Sequence, residues 1–156
     1  MEVNMTRILF LAVAFVLMAC QIALAAGSCV RTSTETVNVL NSGQRKIITL
    51  TCTGDGTIAA YSFNPVTYGV RGWYLYNVTT NPGTAPTAAY DITLMVDGED
   101  VAGGLLGNRS ATATETVQIS PTTLGYHMAD ATMAITFADE TANPSVIVMK
   151  LRFTAN

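Results

Sequence analysis

After residue 44 the chain repeatedly alternates apolar and polar side chains at period two, and no stretch beyond the N-terminal segment repeats at helical spacing. Arg45 to Thr53 is one such stretch. It sets Ile48, Leu50 and Cys52 on one face and Ile47, Thr49, Thr51 and Thr53 on the other, and the even-numbered set is expected to point inward. Tyr90, Ile92, Leu94 and Val96 form a second inward row against Asp91, Thr93 and Met95. In Ser145 to Thr154, Ile147, Met149, Leu151 and Phe153 point inward and Val148, Lys150 and Arg152 outward, as on an edge strand or a solvated sheet face. Trp73 to Val78 carries apolar residues on both faces, which suits a central strand or one whose outer face meets a partner. Weaker strands are expected over Cys29 to Leu40, around Ile58 to Phe63, over Glu115 to Ile119 and over Ala131 to Phe137.

Turn residues punctuate these runs. Asn41-Ser42-Gly43, Gly54-Asp55-Gly56 and Asn64-Pro65 each end a strand, and Asn81-Pro82-Gly83 with Ala85-Pro86-Thr87 makes a stiff crossover. Asp97-Gly98 is a two-residue hairpin signal. Val101 to Gly107 is too rich in glycine for a strand interior and predicts a bulge or a close approach of backbones. About eight strands at this spacing predict an all-β protein, a single antiparallel β-sandwich of jelly-roll or immunoglobulin-like form.

Composition sharpens this picture. There are 23 threonines and two lysines, and 12% of residues are charged against roughly 25% in an average domain. Threonine fits pleated, half-buried surfaces and disfavours helix interiors. The net charge is −3, and outside the first 26 residues only Arg45 and Lys46 are adjacent bases, so no basic footprint for nucleic acid is present.

Residues 1–25 read as a signal peptide: Arg7, an apolar run from Ile8 to Ala19, then the small-residue site Ala23-Leu24-Ala25. Cleavage there leaves one domain over residues 27–156. Two other routes stay open. Leu17-Met18-Ala19-Cys20 also fits a lipoprotein signal in which Cys20 is acylated, and Ile8 to Leu24 is just long enough for a membrane anchor. Contact with a membrane is therefore expected only through this leader or a lipidated Cys20. Removing or lipidating Cys20 leaves Cys29 and Cys52. An even pair in an exported chain predicts a disulfide, which would tie the first strand to the second.

From Gly69 to the C-terminus the chain resembles small structural, virion-associated proteins of tailed phages and prophages. The residues carrying this are Gly72-Trp73-Tyr74-Leu75, the two proline turns, Tyr90-Asp91-Ile92-Thr93-Leu94, Asp100-Val101 before Gly103-Gly104, and Asn108-Arg109-Ser110. The resemblance implies a particle-associated β-domain without catalysis. The leader and the cysteine pair depart from that pattern, because virions assemble in a reducing cytosol.

Candidate chemistry is sparse. Trp73, Tyr74 and Tyr76 could form a flat platform for sugar rings, against which stands a plain core role for Trp73. Asp97, Glu99 and Asp100 are weak calcium candidates, since hard oxygens at a turn bind that ion, but they lack the spacing of a recognised calcium loop. His127 is the single histidine and no Gly-x-Ser-x-Gly elbow is present. Asn77-Val78-Thr79 and Asn108-Arg109-Ser110 match the N-glycosylation pattern, which matters only in a eukaryotic secretory pathway. The reading is a non-enzymatic exported structural domain, periplasmic, cell-surface, extracellular or in a virion. It uses no cofactor and works through protein partners, self-assembly among them. The alternative is a secreted adhesin or carbohydrate-binding module.

Overall fold

The computed structural model describes residues 28–39, 43–54, 61–83, 86, 88–119, 125–138 and 145–155. The leader expected over residues 1–25 with Cys20, the turns expected at 41–42 and 55–56, and residues 139–144 lie outside them. Among the described residues the chain is all-β, without a helix. Its strands are β1 (Ser28–Val39), β2 (Gly43–Gly54), β3 (Tyr61–Phe63), β4 (Tyr74–Pro82), β5 (Asp91–Val96), β6 (Glu99–Asp100), β7 (Glu115–Gln118), β8 (Tyr126–His127), β9 (Met133–Ala138) and β10 (Ser145–Thr154).

They form two antiparallel sheets. One has the order β1-β2-β10-β4-β7, with β8 also paired to β4; the other has the order β3-β9-β5-β6. The pairings nest: β2 takes β10, β3 takes β9, β4 takes β7, and β5 takes β6. Strands far apart in sequence therefore meet, while Pro82, Gly83 and buried Pro86 lead the chain from one sheet to the other.

The inward rows read from alternation are the core. Ile48, Leu50, Cys52, Ile147, Met149, Leu151 and Phe153 of the first sheet share one buried cluster with Ile92, Leu94, Val96, Met133, Ile135 and Phe137 of the second. Each such side chain contributes roughly 1.5–3 kcal/mol on burial. Phe63 on β3 stacks on Phe153 on β10 with ring centroids 5.8 Å apart, joining the two sheets directly.

Of the two places open to Ser145–Thr154, the structure takes the solvated sheet face: β10 lies between β2 and β4 with its polar side outward and Lys150 exposed. The alternation expected for Trp73 to Val78 breaks at a β-bulge. Arg152 pairs with Asn77 and Phe153 with Leu75, so Tyr76 is the extra residue. Leu75 and Val78, three apart, are consequently both buried. His127 sits in β8 opposite Tyr74.

The Asp97-Gly98 hairpin forms as the sequence predicts. Val96 pairs with Glu99, and both turn residues have positive φ (50° and 87°), the geometry whose twist matches paired strands. Cys29 and Cys52 are register partners and are bonded, with Cα atoms 3.9 Å apart. β1 carries a bulge of its own at Thr32, between Arg31 and Ser33.

Candidate functional site

The aromatic stretch is divided between two sides of the first sheet. Lys46 and Arg45 are neighbours on β2 and so point to opposite faces. The Lys46 ammonium donates to the Gly69 carbonyl at 2.7 Å and lies 5.0 Å from the centre of the Trp73 ring. Trp73 itself is half-buried against the core, held by its N–H to Val70 O and by its carbonyl accepting from Met128 N–H. On the other side the Arg45 guanidinium stands 5.7 Å from the Tyr76 ring, and Tyr74 packs on His127 at 5.0 Å. Tyr74 and Tyr76 thus share a surface that Trp73 does not join. Each ring also has a cation or another ring beside it, an interaction worth about 0.5–2 kcal/mol for the cations.

The acidic turn does local structural work. Asp100 Oδ1 accepts from Leu94 N–H (3.3 Å) and Ala102 N–H (3.0 Å), and Oδ2 accepts from Gly104 N–H (2.7 Å). Both oxygens thereby organise the turns of 101–107, whose Leu106 packs into the core while its carbonyl takes Ile92 N–H. Asp97 and Glu99 lie exposed at the hairpin. Asp91 accepts from Asn108 N–H at 2.5 Å, away from that turn. Among the described residues no three His, Cys, Asp or Glu side chains converge as a metal would require.

Several arrangements were not read from the sequence. Arg109 donates through Nε and Nη2 to the Gly107 carbonyl and faces Glu115 at 3.6 Å, while Glu115 also accepts from Ser110 N–H. Arg152 donates to Asn77 Oδ1 at 3.0 Å and to the Thr79 hydroxyl. The phenols of Tyr61 and Tyr68 are hydrogen-bonded; Tyr68 stacks on Phe63 at 4.4 Å under the Arg31 guanidinium. Burial, then that bond, pushes the Tyr61 phenol up to about 12. The Arg152 contacts join residues 75 and 73 positions apart, which only the pairing of strands brings together.

The remaining surface feature is β1. It forms one border of the first sheet and, among the described residues, pairs only with β2. Apart from Cys29 and Ser33, its described side chains are exposed, Val30 and Val37 by 55% and 45%. Both valines lie on the outward face, opposite Thr51 and Arg45. An open strand edge of this length offers amides and carbonyls to another chain.

No helix among the described residues is long and apolar enough to cross a membrane, which leaves strands unaddressed. Comparison with known protein families, with curated proteins and with solved structures finds no match to this chain.

Proposed function

We propose that the chain is a non-catalytic structural subunit, an exported β-domain that works by protein–protein contact in a particle or surface layer. The observation that carries this is the nested strand order. β2-β10-β4-β7 facing β3-β9-β5-β6 is the order obtained when one long antiparallel hairpin is rolled into two stacked sheets. That is the jelly-roll form of a β-sandwich, an architecture used by viral capsid subunits and by lectin domains. Architecture alone does not choose a function. The residues tilt the balance: the outer face of the first sheet sets Ile47, Val146, Val148 and several threonines beside Arg45, Lys150 and Arg152, and β1 leaves an open edge with two exposed valines. The resemblance from Gly69 onward to phage structural proteins points the same way.

The disulfide fits export to an oxidising compartment. The lectin-like alternative would need a flat, open aromatic surface, and Trp73 is instead half-buried with Lys46 over its ring.

The test is the solution mass of the full chain, expressed with its leader, purified from the exported fraction and measured by light scattering without reductant. The expected result is a defined multiple of about 14 kDa, the mass of a domain of this length. A monomer at every concentration, together with a Trp73 fluorescence change on adding glycans, would replace this reading with the binding-module one.

A further inference from the structure

We propose that β1 is the contact through which two copies of this chain join, their first sheets merging edge to edge about a two-fold axis at Thr34. This rests on the subunit reading and names its surface and its partner.

The argument begins with which backbone groups face the open edge. The 3.9 Å Cα separation of Cys29 and Cys52 is the short spacing of an antiparallel pair whose amides and carbonyls turn away from each other. Alternation along β2 then gives Leu50, Ile48 and Lys46 the same sense as Cys52. Their partners Arg31, Thr34 and Thr36, like Cys29 and then Asn38, direct N–H and C=O groups outward from the sheet.

Register follows from the bulge. With Thr32 set aside, β1 runs Ser28, Cys29, Val30, Arg31, Ser33, Thr34, Glu35, Thr36, Val37, Asn38, Val39, and Thr34 is its midpoint. An antiparallel match of β1 with its own copy about Thr34 uses the whole strand. It opposes Cys29 to Asn38, Arg31 to Thr36 and Thr34 to Thr34, all of them edge-facing, for about ten inter-chain hydrogen bonds at two per pair. The bulge keeps faces consistent. Val30 and Val37, the exposed apolar residues of this strand, fall opposite each other on both sides of the axis, at positions of the close-spaced type where side chains touch best.

Neighbouring registers that keep the faces matched are worse. A shift one way sets Val30 against Glu35, and a shift the other way sets Glu35 against Glu35. Only the centred register combines full overlap, paired valines and no opposed like charges. A strand whose sequence is complementary to itself in this way specifies a second copy as its partner, and the contact is isologous.

The test is a cysteine at the axis. In the full chain purified after export, Thr34→Cys is expected to yield a dimer cross-linked from residue 34 to residue 34, seen by peptide mass spectrometry without reductant. Thr36→Cys, which opposes Arg31, yields none. Both positions are exposed, so folding is spared. Val37→Lys is expected to weaken association at least tenfold by light scattering, with the far-UV circular dichroism of the folded chain unchanged. If the wild-type chain is multimeric but no 34-to-34 link forms and Val37→Lys leaves the mass unchanged, the β1 proposal is overturned while the subunit reading stands. A wild-type monomer at every concentration without the link overturns both.

Discussion

At the scale of single residues, the structure turns on backbone positions that side-chain patterns do not announce. Gly125 has φ of 106°, and a Cβ there would lie 2.2 Å from the Leu75 carbonyl oxygen. Gly125→Ala is therefore expected to cost about 2 kcal/mol or more, from overlap and from a backbone angle that L-residues resist; urea unfolding checks it. Tyr61 supplies a second test. Its phenol loses its proton near 12 when folded and near the usual value of 10 when unfolded. Protons thus bind the folded state more tightly between those values. The contribution to stability is whole below about pH 10 and falls as pH rises toward 12. Tyr61→Phe is expected to flatten that decline, and absorbance titration of the phenols should lose its highest step. Gly125 stands two residues before His127 in a stretch where alternation assigns no strand, and the Tyr61–Tyr68 bond depends on a turn at Asn64 that sets two rings side by side. Neither was legible, because each depends on where a neighbouring segment passes.

The strands themselves were largely legible. β2, β5 and β10 bury the rows that alternation assigned to them, since a half-buried strand must present every second residue to the core. The Cys29–Cys52 bond was legible too, from parity of the cysteines and the leader. Closing a separation of 23 residues, it restricts the unfolded chain by about 3 kcal/mol. Replacing both cysteines by serine is expected to lower stability by about that amount in denaturant titration, leaving circular dichroism of the folded state unchanged. β4 is where the pattern misled. Its bulge at Tyr76 inserts one residue, and past that point every side chain changes face. Asn77 and Thr79 accordingly turn out to meet Arg152, while Val78 enters the core.

At the scale of the molecule, pairing is dominated by strands distant in sequence. β2, near the start of the described chain, and β10, at its end, pair inside the first sheet. Deleting residues 145–156 removes the strand that joins β2 to β4, along with Ile147, Met149, Leu151 and Phe153 from the core. The shortened chain is expected to show no cooperative thermal transition by circular dichroism. Closure of such long loops before any contact forms also makes this a topology of slow folding, on the order of milliseconds to seconds.

The amino-acid sequence by itself determined the β-class, the inward rows, the Asp97-Gly98 hairpin and the cysteine pair. These are local or nearly local: period-two burial, the φ values that Asp and Gly accept, and the parity of thiols act within one strand or one turn. Only the tertiary structure decided the nesting of strands into two sheets, the central place of β10, the separation of Trp73 from Tyr74 and Tyr76, and the open edge of β1. Each of those depends on which strand lies beside which, and that choice is made by burying all the apolar rows at once.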